Sequence, residues 1–185
     1  MTILVTGGTK GIGLAIADYL ARPGETIVLN YHSDDDAAAA AKARIEQTGA
    51  RATLVRADVG TIAGCGQIIA ATTKAHSGTL HIVHSAALIY PTSLLGADLE
   101  KFTQAVQTNG LSLLYLVQKA LPLLGRGSSI VFVSSNGARA AISPSGAQTR
   151  FSRDVPAHCT TAAGVSGASV SLNASLMLSM RLAPM

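Results

Sequence analysis

The chain has 185 residues, 48% hydrophobic and only 13% charged, with a formal net charge of +4. That length suits one domain with a real core, and the low charge excludes a disordered or solvating chain. No basic stripe interleaved with aromatics points to nucleic acid, and no stretch of about 20 apolar residues could span a membrane. The mild basicity reads as an ordinary surface with few acids, or alternatively as attraction for an anionic ligand such as a phosphorylated cofactor. Cys65 and Cys159 are too few for a disulfide framework or a metal cluster. No metal site is therefore expected, and a reducing, cytoplasmic setting is. The N-terminus lacks the basic and apolar segments of a signal peptide.

Ile3-Leu4-Val5 is a short apolar run that ends at Thr6-Gly7-Gly8, which predicts a buried strand entering a tight turn. From Gly11 to Arg22 the apolar residues recur with a helical period, stopped by Pro23-Gly24. Thr26 to Asn30 reads as a second strand. Asp34-Asp35-Asp36 opens a helix to about Thr48, its acids complementing the helix dipole. Ala52 to Ala57 gives a third strand, Ile62 to His76 a helix, and Leu80 to Ser85 a fourth strand. A loop with Pro91 leads to a long helix, roughly Leu99 to Leu121, and Ser129 to Ser134 gives a fifth strand. This alternation predicts an α/β fold: a doubly wound, Rossmann-like parallel sheet with right-handed crossovers.

After Ile142 the composition changes. Residues 143–185 are rich in Ser, Ala and Thr, with Asp154 the single acid and no lysine. The reading is a dinucleotide-binding domain over 1–142 and an atypical tail over 143–185. No convincing apolar strand follows Val133, and a weak helical pattern covers Ser169 to Leu182. The sheet is expected to be C-terminally incomplete, with the tail unlike a usual continuation of such a domain.

Phosphate binding needs backbone N–H groups at close range. Glycines let the chain turn sharply without a Cβ in the way, and a helix start adds free N–H groups and partial positive charge. Gly7, Gly11 and Gly13 lie between an apolar strand and an amphipathic helix, the context that gives such a pattern meaning.

The spacing Thr6-Gly7-x-x-x-Gly11-Ile12-Gly13 resembles the short-chain dehydrogenase/reductase family. Asp58-Val59 resembles the family's adenine-contacting pair. Asn109 matches its active-site asparagine, and Ser135 its catalytic serine. The resemblance covers residues 1 to about 142, and its texture is most similar to β-ketoacyl-carrier-protein reductases. It implies a cofactor held by Gly7, Thr9, Lys10, Gly11, Ile12, Gly13, Asn30, Asp58, Val59, Ser85 and Ala86. It also implies Ser135 hydrogen-bonding the substrate oxygen and Asn109 supporting a water relay. An acid at the end of the second strand would take the ribose diol and repel a 2′-phosphate. The neutral Asn30 stands there, and Lys10 supplies a cation, so NADP is expected over NAD. Lys10 also reads as an ordinary loop lysine, and Asp58 as a turn carboxylate.

Two departures stand out. His84-Ser85-Ala86-Ala87 occupies the place of the family's Asn-Asn-Ala-Gly. His84 there reads more readily as structural than as a proton donor. The Tyr-x-x-x-Lys pair that follows the family's serine has no counterpart: no tyrosine follows Tyr115 and no lysine follows Lys119. Arg150, Arg153, His158 and Cys159 offer no obvious replacement. The expected function is NADP-linked hydride transfer between nicotinamide and a small-molecule carbonyl or alcohol. The alternative is an inactive, nucleotide-binding remnant that holds the cofactor or a homologous partner without turnover. The helix near 99–121 carries enough apolar surface for a core and for a second copy of the chain, so a homo-oligomer is expected there.

Overall fold

The computed structural model describes residues 1–90, 96–134, 168–173 and 177–182. β1 (Thr2–Thr6) leads through the glycine turn to α1 (Gly11–Leu20), then β2 (Thr26–Tyr31), α2 (Asp35–Glu46) and β3 (Arg51–Arg56). α3 (Ile62–Ala75) and β4 (Leu80–His84) follow. α4 (Leu99–Val106), a π-helical turn (Gln107–Leu111) and α5 (Ser112–Ala120) replace the single long helix that the sequence predicts. β5 (Ser129–Val133) completes the parallel set, and β6 (Ala168–Asn173) and β7 (Met177–Leu182) come last.

The seven strands lie in the order β3-β2-β1-β4-β5-β7-β6. The first five pair in parallel, as the β-α alternation requires, and β7 pairs antiparallel to both β5 and β6. The helical reading of 169–182 is thus corrected, as is the absence of a strand after Val133. The reason is visible in the spacing: Val170 and Leu172, like Leu178, Met180 and Leu182, recur every second residue, which is the strand period. The register sets Val170 opposite Met180 and Leu172 opposite Leu178.

The sheet is covered on both faces. Successive residues of a strand point to opposite sides, so Ile3 and Val5 join one buried cluster while Leu4 joins the other. The first cluster takes Ala17 from α1 and Ile45 from α2; the second takes Ile68 from α3 and Leu116 from α5. This is why the central strands read as unbroken apolar runs. Each fully buried Leu or Ile adds roughly 1.5–3 kcal/mol of hydrophobic stabilisation.

The helix starts are tied locally. Asp34 caps α2 by accepting from Ala37 N at 3.0 Å, and Thr61 caps α3 by accepting from Gly64 N at 2.9 Å. α1 starts without a side-chain cap: Lys10 stands at its N-cap in extended conformation and its side chain does not reach back. Its orphan N–H groups face the turn where the anion is expected.

Candidate functional site

The glycine loop is shaped by three different constraints. Gly7 has φ +60°, and a Cβ there would lie 2.9 Å from Ala86 Cα. A Cβ on Gly13 would lie 2.2 Å from Gly7 O, so the start of α1 packs directly on the turn. Gly11 has φ +55° and nothing within 4 Å of where a Cβ would be. Only glycine takes the left-handed conformation without strain, so the loop is tight on its inner side and open on its outer side. Lys10, Gly11 and Ile12 are exposed on that open side. An exposed isoleucine in the first turn of a helix offers apolar surface beside free N–H groups.

The fold brings most of the predicted residues together at the C-terminal ends of the strands. Gly7 meets Ser85 and Ala86 at the end of β4. Thr6 Oγ1 accepts from the Ser85 and Ala86 amides at 3.1 and 3.2 Å, which fixes that approach. Asp58 is exposed, and its Oδ1 accepts from Gly60 N at 2.8 Å. It is therefore a turn carboxylate held at the rim, with Val59 buried beneath it. A Cβ on Gly60 would stand 2.8 Å from Thr108 Oγ1, so the Asp58 turn abuts the π-helical turn that carries Asn109. Thr9 is buried within the loop.

Two predicted residues spend their side chains on the fold itself. Asn30 is 1% exposed, and its Nδ2 donates to Val55 O at 3.2 Å and Ala57 O at 2.9 Å. Its amide ties the ends of β2 and β3 together below Asp58, and its Oδ1 is buried without a hydrogen-bond partner among the described residues. Asn109 is exposed, but both ends of its amide are engaged: Oδ1 accepts from Leu88 N and Nδ2 donates to Leu88 O, each at 2.8 Å. Its side chain clamps the segment after β4. Ser135 lies outside the described residues, as do Arg150, Arg153, His158 and Cys159.

The charges beside the loop are paired. Lys10 Nζ donates to Asp34 Oδ2 at 2.7 Å, which holds the Asp34 carboxyl below its ordinary range, helped by the Ala37 amide. Arg56 Nη1 and Tyr31 Oη both donate to Asp35, at 2.9 and 2.8 Å, and that bond pushes the Tyr31 hydroxyl up. Cations and an aromatic ring thus rim the end of β2, on exposed side chains that a ligand could re-pair. Cys65 is buried, and burial pushes its thiol up to about 11, so it is inert as a nucleophile.

The structural reading of His84 holds, and its partners are what the sequence could not name. His84 is fully buried, with Nδ1 2.7 Å from Thr6 Oγ1 and Nε2 2.8 Å from Ser112 Oγ. Burial pushes its imidazole down to about 4, against a smaller opposing effect of the Thr108 carbonyl. It is neutral and buried, so it is no proton donor to a substrate. Its two partners lie 78 residues before it and 28 after it, so no local pattern could announce them.

Comparison with known proteins accords with this geometry. The profile of a family described as Enoyl-(Acyl carrier protein) reductase matches residues 7–153. The chain belongs to the short-chain dehydrogenase/reductase family. It is similar to General stress protein 39 of Bacillus subtilis, 32% identical over 71% of this chain and 46% of that protein. A dehydrogenase/reductase from Sinorhizobium meliloti superposes with TM-score 0.70 and 33% identity, over 76% of this chain and 56% of that one. A short chain dehydrogenase from Burkholderia cenocepacia, solved in complex with NADP, gives TM-score 0.69 and 28% identity over 76% and 58%. The chain spans about half the length of the curated relatives it matches. Among the described residues no helix is long and apolar enough to cross a membrane.

Proposed function

We propose that this chain binds NADP(H) and serves hydride transfer between the nicotinamide and a carbonyl or alcohol carbon of a small molecule. The observation that carries the reading is the loop open at Gly11 and closed at Gly7 and Gly13, set before an uncapped helix start. Such a site offers N–H donors and partial positive charge to a pyrophosphate. Ser85 and Ala86 would line the far side of the cleft, and Asp58 and Val59 the adenine end. Lys10 and Arg56 are the cations available to a 2′-phosphate, which supports NADP over NAD; Asn30 acts beneath that rim by fixing the ends of β2 and β3. The B. cenocepacia neighbour solved with NADP supports the same choice. When bound, the nicotinamide supplies or accepts the hydride. Asn109 positions the wall of the cleft through Leu88, and Ser135 is the hydroxyl proposed to hold the substrate oxygen.

A second reading is favoured by one observation in the sequence. Between Ser135 and Met185 there is neither tyrosine nor lysine to move the proton that must accompany the hydride. On that reading the chain binds nucleotide without turnover, or pairs with a homologous copy. Leu99, Phe102, Val106, Leu111, Leu114 and Leu121 form an exposed apolar stripe along α4 and α5 that such a copy would cover. Titrating NADPH by fluorescence, then following its oxidation with a panel of ketones, separates the readings. Binding with turnover supports the enzyme, and binding without turnover supports the remnant. Folded protein that binds no NADPH contradicts the enzyme and the nucleotide-binding remnant, and leaves pairing with a homologous copy. Leu114→Glu is expected to convert any dimer to monomer in sedimentation; an unchanged oligomer would remove the stripe from the account.

A further inference from the structure

The hydrogen-bond directions around His84 follow from its neighbours. Thr6 Oγ1 accepts from two backbone amides, Ser85 N at 3.1 Å and Ala86 N at 3.2 Å. A hydroxyl has two acceptor sites and one proton, so the Thr6 O–H must be the donor to His84 Nδ1. At the other end the Ser112 O–H donates to Thr108 O at 2.6 Å. Ser112 Oγ must then accept from His84 Nε2–H. The histidine is held as the neutral Nε2–H tautomer, and every proton in the line points the same way. The Phe132 ring stacks on the imidazole, with centroids 5.5 Å apart and planes at 18°, and fixes its orientation.

The Ser112 hydroxyl answers a need created by the π-helical turn. Ser112 N donates to Gln107 O, five residues back, so it does not serve Thr108 O as it would in an α-helix. The hydroxyl takes that carbonyl instead. The turn carries Asn109, whose amide clamps Leu88 by two bonds. His84 therefore joins the strand that opens the glycine loop to the π-helical turn.

We propose that His84, through Thr6 and Ser112, is a positioning residue that holds the Asn109 turn in register with the glycine loop. It acts on the site of the proposed nucleotide reading, but the proposal concerns the geometry of this chain and is testable without cofactor. The line transmits a fixed distance. If it is broken, the Asn109 clamp loosens, and the β4 end loses its stop against Thr6.

Nitrogen NMR of the imidazoles in the full chain, from about pH 5 to 8, tests the first half. The expected result is a His84 signal of the Nε2–H tautomer that does not titrate in that window. An Nδ1–H tautomer, or titration near the ordinary imidazole value, overturns the proposal. Amide exchange tests the second half. Ser112→Ala should speed exchange at Leu88 about tenfold while the Leu29 amide stays protected, and Ser112→Thr should restore it. Equal exchange at Leu88 in Ser112→Ala and the parent overturns the coupling. If Ser112→Ala does not fold, the tautomer measurement decides. A parent chain that binds no NADPH sinks the nucleotide reading alone, since neither of these readouts uses cofactor.

Discussion

β1 and β2 are buried along nearly their whole length, whereas β5 keeps Val131, Phe132 and Val133 half-buried and α4 leaves Leu99, Phe102 and Val106 exposed. The first region is completed by its own neighbours in sequence: α1, α2 and α3 lie on the strands they connect. The second meets the sheet through a narrower strip, Ser112, Leu116 and Ala120, and turns an apolar stripe outward. The proposed nucleotide site draws on the first region, and the π-helical turn that carries Asn109 belongs to the second. The comparison teaches that the glycine loop rests on a core completed by neighbouring elements and on the end of β4, while the Asn109 turn is held chiefly through His84 and the Leu88 clamp.

The largest effect is expected where the first region is tightest. Gly13→Ala puts a Cβ 2.2 Å from Gly7 O, a backbone atom that cannot step aside. A loss of about 4 kcal/mol or more is expected in urea unfolding, with NADPH binding abolished. A variant of unchanged stability would show that the loop is not packed as described.

The next prediction probes the join between the regions. The unfolded chain protonates His84 near 6.5, but the folded chain only near 4. Between those values the unfolded state holds more protons, so stability falls as pH drops from 6.5 to 4, by roughly 3 kcal/mol. Below that the folded state is protonated too, and the slope vanishes. Urea midpoints across this range, compared between the parent and His84→Gln, check it; the variant should lose most of this slope.

Two smaller effects stay within the first region. Lys10→Ala should weaken NADPH about tenfold and leave NADH unchanged, because it removes a cation proposed to pair with the 2′-phosphate. Equal loss for both cofactors would remove Lys10 from the choice between them. Thr61→Ala removes the cap of α3 and should cost about 1 kcal/mol in thermal unfolding without touching cofactor affinity.

The five parallel strands and their order of helices were legible because each strand is a continuous apolar run and each helix has a clear period and stop. The glycine loop was legible for the same local reason: its residues are contiguous. Asn30 shows the limit. Its place at the end of β2 was right, but which way its amide points depends on β3, 25 residues on. The interruption of the long helix at Gln107–Leu111 was not read because its support is split: the neighbouring Ser112 hydroxyl takes Thr108 O, and His84, 28 residues back, holds that hydroxyl. The strands at Ala168–Asn173 and Met177–Leu182 carried a period of two that serine-rich composition obscured. Ser135 lies outside the described residues, so the role proposed for its hydroxyl comes from its sequence position.

The central claim is that Thr6–Gly13 cradles a dinucleotide in this chain as it stands. Amide NMR during an NADPH titration tests it most directly. The account predicts saturable shifts concentrated at Gly7, Gly11, Ile12 and Gly13 and at Asp58, Val59, Ser85 and Ala86, with the amides of β3 before Arg56 unmoved. Folded protein whose glycine-loop amides do not shift, or shifts confined to the α4–α5 stripe, would contradict it.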